Sequence, residues 1–150
     1  IREVFHGPVS YNTDKYQEGH VNWWDAVDVI SSSGYYPADD WENQLDRIEA
    51  VVKKFDRPFF FAEAGCMSTE GSAAVPNDWT VRGGLALEEQ ADFYRAMFAA
   101  CEKRDWVSGF GLWSWNWCLP ECARAQQEKG YELYEKPAEK VVRNFYETRK

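Results

Sequence analysis

The chain has 150 residues, 45% of them apolar, and a formal charge of −8 at pH 7, which suits one domain with a real core and excludes a disordered polymer. Its acidic balance and scattered Lys and Arg argue against a nucleic-acid partner, and no run of about 18 apolar residues offers a membrane span. The four cysteines fit no zinc spacing and are accompanied by only two histidines, so no metal and no cofactor is expected.

The first strand is expected over Pro8–Asn12, an apolar stretch ending in polar residues, with a helical turn around Val21–Trp24 after it. Val27–Ser31 is β-branched and bounded by Ser33-Gly34, which marks a second strand. Asp39 or Asp40 is placed to cap a helix whose apolar residues Trp41, Leu45, Ile48, Val52 and Phe55 recur every three or four positions. Asp56-Arg57-Pro58 ends it. Phe59–Ala62 is then apolar throughout, as in a parallel strand buried on both faces. A loop over 66–86, rich in Gly, Ser and Thr, leads to a helix over Leu87–Lys103 with Ala91, Tyr94, Met97, Phe98 and Cys101 on one face. Gly109–Trp115 reads as the last strand and Asn116–Tyr134 as a loop. The final helix opens with Pro137, favoured in a first turn, and runs through Tyr146.

Strands alternating with amphipathic helices predict an α/β fold with a parallel sheet. Four such units make half of a TIM (β/α)8 barrel, since a closed barrel needs eight in about 250 residues. Residues 1–150 therefore read as a single domain that is incomplete or pairs with another half, because an open sheet leaves strand edges exposed. The chain begins Ile1-Arg2-Glu3-Val4, without an initiator Met or a signal-peptide pattern, which reads as a cut and leaves the localisation unassigned.

Glu63 directly follows the apolar strand Phe59–Ala62, and in β/α barrels such strand ends form the active-site face. A charge there is costly unless it is paired or functional, so the alternatives are a reactive carboxylate and a structural one in an ion pair at the rim. Trp113, Trp115 and Trp117 alternate at the end of the last strand and so share one side. Flat rings stack on the apolar faces of sugars, and the chain is 17% aromatic. Ser33-Gly34-Tyr35-Tyr36-Pro37 also follows a strand, where a Tyr hydroxyl can tune a carboxylate or a Tyr-Pro turn can simply pack. Cys101 falls on an apolar helix face, whereas Cys66 with Cys118 or Cys122 is a candidate disulfide.

Taken together these stretches resemble the clan A retaining glycoside hydrolases, and among them the mannanase-like family 113. Ser10-Tyr11-Asn12 looks like the family's fifth strand end, and Trp23-Trp24-Asp25-Ala26-Val27-Asp28-Val29-Ile30, running on to Tyr35-Tyr36-Pro37, looks like its sixth. Arg57 through Ser68 looks like the seventh, which carries the nucleophile. Glu89-Gln90-Ala91, Gly109 through Trp115, and Lys136-Pro137-Ala138 match the closing elements.

The resemblance implies a double displacement on a β-linked hexoside, with mannan-like glycan the leading candidate. Glu63 would be the nucleophile, Trp113 or Trp115 would floor the site, and Tyr35, beside Tyr36, would support Glu63. Asn12 would contact sugar or the nucleophile. The second carboxyl, about 5 Å away, belongs in this clan to a Glu after Asn at the end of the fourth strand. This chain contains no Asn-Glu dipeptide, so the acid/base would come from an N-terminal half-barrel and the isolated chain would be inactive. Glu70 and Glu121 lie in the right loops to substitute but are expected to point to solvent. The rival readings are a non-catalytic carbohydrate-binding or half-barrel interaction protein, and a lyase or isomerase sharing only the fold. No phosphate-binding loop or metal-ligand cluster supports the last.

Overall fold

A computed structural model of the chain describes residues 1–148. Four parallel strands lie side by side in chain order, β1 (Ser10–Thr13), β2 (Val29–Ser33), β3 (Phe59–Ala64) and β4 (Val107–Leu112). Helices α1 (Trp41–Phe55), α2 (Leu87–Cys101), α3 (Cys122–Ala125) and α4 (Pro137–Glu147) complete the units, α3 being a single turn inside what reads from sequence as loop. Among the described residues no helix is long and apolar enough to cross a membrane.

All four strands differ from their expected bounds. β1 and β2 begin two residues later than predicted. Pro8 has no amide to give, the Val9 amide is taken by the Asp28 carboxylate at 2.7 Å, and the ladder starts only at Ser10 opposite Val29. β4 begins and ends earlier, so the expected alternation of three tryptophans along a strand is not present. After the Trp113 amide, which still donates to Ala64 of β3, the chain turns away: the Ser114 amide donates to the Tyr131 carbonyl at 3.1 Å and the Leu133 amide to the Ser114 carbonyl at 3.3 Å. β3 starts where expected but extends two residues beyond the apolar run, and thereby includes Glu63.

The helices follow the apolar periodicity. α1 ends where Asp56 adopts a left-handed φ of 51° and donates its amide to the Val52 carbonyl. Asp40 precedes α1 but caps no backbone amide. Its two carboxylate oxygens accept instead from the side chains of Asn43 at 2.9 Å and Gln44 at 2.7 Å.

The core lies between one face of the sheet and the helices. Trp41, Leu45 and Ile48 of α1 meet Phe59 and Phe61 of β3 and Phe93, Tyr94 and Met97 of α2, all buried. Aromatic contacts run across it, from Trp41 edge-on to Phe61 at 5.3 Å, through Phe110 stacked on Phe61 at 5.8 Å, to Phe145 of α4 stacked on Phe98 at 3.9 Å. Cys101 belongs to this core. The candidate disulfide is absent: Cys66 is buried against the Ser72 hydroxyl, its thiol pushed up to about 12 by burial, while Cys118 and Cys122 are exposed. Among the described residues no strand pairs with the outer edge of β1 or of β4.

Candidate active site

Glu63 sits opposite Ser33 where the β2–β3 register shifts, and the Gly34 amide donates to its carbonyl at 2.6 Å. Its side chain therefore emerges where three strands end together. The Tyr35 hydroxyl donates to Oε2 at 3.1 Å and Asn12 Nδ2 to Oε1 at 3.3 Å, so each carboxylate oxygen has one neutral donor. Asn12 lies on β1, Tyr35 just past β2, and Glu63 on β3. Asn12 Nδ2 also reaches the Ser33 hydroxyl at 3.3 Å, which ties β1 to β2 at this end.

Burial first, and then the neighbouring Glu63 carboxylate, push the Tyr35 phenol well above its ordinary pKa, so it stays protonated and able to donate. Tyr35 is itself held. Its carbonyl accepts from Lys15 Nζ at 3.3 Å, and its ring meets Tyr131 edge-on at 6.3 Å. Among the described residues no ion pair involves Glu63. The structural alternative, a rim glutamate in an ion pair, is thus not what is found. A carboxylate oriented by neutral donors keeps its negative charge uncompensated, which suits a nucleophile or a base.

The remaining expected residues divide. Trp113 and Trp115 are 50% and 53% exposed, with ring surface to offer a ligand. They lie beyond the end of β4, where Trp113 is held by the last residue of β3 and by α2, and Trp115 by a ring in the following loop. The Trp113 amide donates to the Ala64 carbonyl at 2.8 Å, its carbonyl accepts from the Tyr94 hydroxyl at 3.2 Å, and Trp115 lies edge-on to Tyr134 at 5.8 Å. Tyr36 is a correction, because it is fully buried and cannot touch a sugar. Its hydroxyl donates to Glu18 at 2.5 Å while its ring packs on Trp41 and Phe61. Glu70 and Glu121 are both exposed.

Two arrangements near the site were not read from the sequence. Glu18, 0% exposed, accepts from the Ser32 and Tyr36 hydroxyls at 2.5 Å each and pairs with Arg47 of α1 at 2.7 Å. Lys136, 1% exposed, donates from Nζ to Glu128 at 2.7 Å and to the Ser68 hydroxyl at 2.9 Å. Burial lowers the Lys136 pKa and Glu128 opposes that shift. The lysine fastens the loop after β3 to the loop after β4, alongside the bond from the Ser68 amide to the Gly130 carbonyl at 3.0 Å. Both groups sit in polar segments with no periodicity, and their partners are distant in sequence, so no local signal marked them.

Comparison with known proteins follows this geometry. Residues 1–136 match glycoside hydrolase family 113. Two solved structures of that family are similar over nearly the whole chain. A β-1,4-mannanase is 55% identical with a TM-score of 0.96, over 99% of this chain and 48% of that one. The β-mannanase of Alicyclobacillus acidocaldarius is 44% identical with a TM-score of 0.92, over 97% and 47%. The β-glucuronidase of Faecalibacterium prausnitzii shares the fold at 16% identity and a TM-score of 0.65, over 93% and 25%. No curated protein gives a match. The chain spans about half the length of the mannanases it matches, and its four parallel β/α units are half of a TIM barrel. By this match over most of its length, the chain belongs to glycoside hydrolase family 113.

Proposed function

We propose that this chain is the nucleophile-bearing, C-terminal half of a retaining β-mannanase. The observation that carries the reading is Glu63 at the mouth of the sheet, held by Tyr35 and Asn12 with no cation paired to it among the described residues. Four parallel units with both outer edges open support a barrel closed by a second, N-terminal half. Mannan is the proposed substrate because the similar solved structures are described as mannanases.

In this reading Glu63 attacks the anomeric carbon of a β-linked mannosyl unit. The bond from that carbon to the leaving oxygen breaks, and the oxygen takes a proton from a second carboxyl group. Water then attacks the glycosyl-enzyme, gives its proton to that same group and releases Glu63. The second carboxyl belongs to the other half, on a Glu that follows Asn at the end of the fourth strand. Tyr35 and Asn12 orient the attacking carboxylate, and the half-exposed rings of Trp113 and Trp115 offer stacking surface for sugar. This chain alone, lacking the acid/base, is inactive on unactivated mannan.

The test uses the complete protein on β-mannan and aryl β-mannosides. Glu63→Gln lowers kcat at least about a thousandfold with the fold retained. Glu63→Ala is rescued by azide, which replaces the carboxylate in the attack and yields a glycosyl azide of inverted configuration. Wild-type turnover in either variant refutes the assignment. Binding of mannan without turnover by the complete wild-type protein would favour the carbohydrate-binding reading instead.

A further inference from the structure

The Tyr35 hydroxyl serves Glu63 only while it stays aimed, and β2 does not aim it. Tyr35 lies past the end of that strand, outside any helix or strand. A side chain turns by about 30° at modest cost, and at the far end of a phenol such a turn carries a 3.1 Å hydrogen bond out of range. Lys15 holds the backbone of Tyr35 through its carbonyl, which leaves the ring in need of its own support. That support is Tyr131. The two rings meet with centroids 6.3 Å apart and planes at 82°, an edge-on geometry that aromatic pairs favour.

Tyr131 is itself pinned from several directions. Its hydroxyl donates to the Pro76 carbonyl at 2.7 Å, in the loop after β3. Burial pushes its phenol up to about 12, so the hydroxyl remains a donor through the neutral range. Its carbonyl accepts from the Ser114 amide at 3.1 Å and from the buried Gln90 of α2 at 3.4 Å. The residues just before it are stitched to the chain beyond the nucleophile. The Thr69 hydroxyl donates to the Lys129 carbonyl and the Ser68 hydroxyl to the Glu128 carbonyl, each at 2.8 Å, while the buried Lys136 amine grips Ser68 and Glu128 together. Tyr131 is not among the residues that pack the apolar core. Its anchored ring bears instead on the side chain that touches Glu63.

We propose that Tyr131 is a positioning residue, which acts on Glu63 through Tyr35 by keeping that hydroxyl aimed at the attacking carboxylate. The proposal deepens the proposed function and rests on it for the reaction. It gives the loop after β4 a part in the attack although that loop supplies no group to the carboxylate: contacts run from Lys136 through the 128–131 segment to Tyr131, Tyr35 and Glu63.

The test is a double-mutant cycle in the complete protein, with kcat and KM measured on an aryl β-mannoside. Tyr131→Leu lowers kcat about tenfold and leaves KM within about twofold, because an orienting contact to the nucleophile is lost while the sugar's own contacts stay. Tyr131→Phe, which keeps the ring edge, recovers most of that loss. In a Tyr35→Phe background Tyr131→Leu costs less than about a further twofold, since the hydroxyl it would aim is already gone. Equal losses in both backgrounds overturn the proposal, as does wild-type kcat in Tyr131→Leu. If Tyr131→Leu does not fold, Tyr131→Met carries the same cycle. A crystal structure of the complete Tyr131→Leu protein gives a readout independent of turnover, with the Tyr35 hydroxyl expected beyond hydrogen-bond reach of Glu63. Turnover with Tyr35 still in place removes the positioning role alone. A displaced Tyr35 in a protein whose wild type turns nothing over removes the hydrolase reading and leaves the positioning role.

Discussion

Gly65 sets how closely the nucleophile's strand approaches the loop carrying Trp113, and adding one methyl group there tests the architecture of the site. A Cβ at Gly65 would lie closer than 3.0 Å to the Trp113 carbonyl oxygen, 3.1 Å from its carbonyl carbon and 3.3 Å from its Cβ. Ordinary contact begins at 3.4 Å, and the obstructing atoms are backbone rather than the end of a flexible side chain. The ends of β3 and β4 must therefore part by about 1 Å, in a region as densely packed as a crystal. Overpacking of this kind costs about 1–3 kcal/mol. A displacement of about 1 Å in a catalytic group costs about a hundredfold in rate. Gly65→Ala in the complete protein thus lowers kcat/KM on mannan about a hundredfold and shifts the denaturant midpoint by the stated amount. Gly19→Ala, where a Cβ would meet nothing within 4 Å, serves as the control and leaves both values within error. Wild-type kcat/KM in Gly65→Ala would refute the claim that this contact places Glu63.

Two further outcomes follow from the polar groups around the site. Arg47→Ala strands the fully buried Glu18 charge and costs about 3 kcal/mol by denaturant titration, at the low end for a broken buried pair because the Ser32 and Tyr36 hydroxyls remain. Adding Glu18→Gln recovers part of it, and a loss under about 1 kcal/mol would show that solvent already compensates the charge. Tyr35→Phe removes one donor from the Glu63 carboxylate and lowers kcat/KM by about 10- to 100-fold, the worth of a hydrogen bond to a charged group. The raised Tyr35 pKa means that its stabilisation is fully present below the ordinary phenol value of about 10 and is lost as pH rises from there through the folded-state value. Stability of Tyr35→Phe accordingly falls less steeply above pH ~10 than that of the wild type, and parallel alkaline curves would contradict this.

The most legible element was β3, because three phenylalanines and an alanine bounded by Arg57-Pro58 and Gly65 suit a parallel strand, whose Phe59 and Phe61 the structure buries on one face. Its end marked Glu63, and the strand-end rule brought Tyr35 and Asn12 to the same place. The errors came where a local rule met a tertiary contact. The Asp28 carboxylate captures the Val9 amide and delays β1, and the segment around Tyr131–Leu133 captures the chain after Leu112, which ends the tryptophan alternation. Tyr36 was grouped with Tyr35 by adjacency alone, although neighbours on extended chain point to opposite sides. The buried pairings of Glu18 and Lys136 were not legible because their partners Arg47 and Ser68 are joined to them only by folding.

On the proposed reading, in which a second half closes the barrel, the two strand edges left unpaired among the described residues would make closure a bivalent event. Any half that completes the barrel meets this one at two seams, along β1 and along β4, on opposite sides of one rigid sheet. Once the first seam forms, the second is intramolecular and proceeds at an effective concentration of the order of millimolar or above. On that reading, affinity between the halves would be an avidity. It survives modest damage to one seam and falls steeply only when the spacing between the seams is wrong. A stray strand that pairs with a single edge gains none of this advantage, so the geometry of the pair of edges, more than the chemistry of either, selects the correct half.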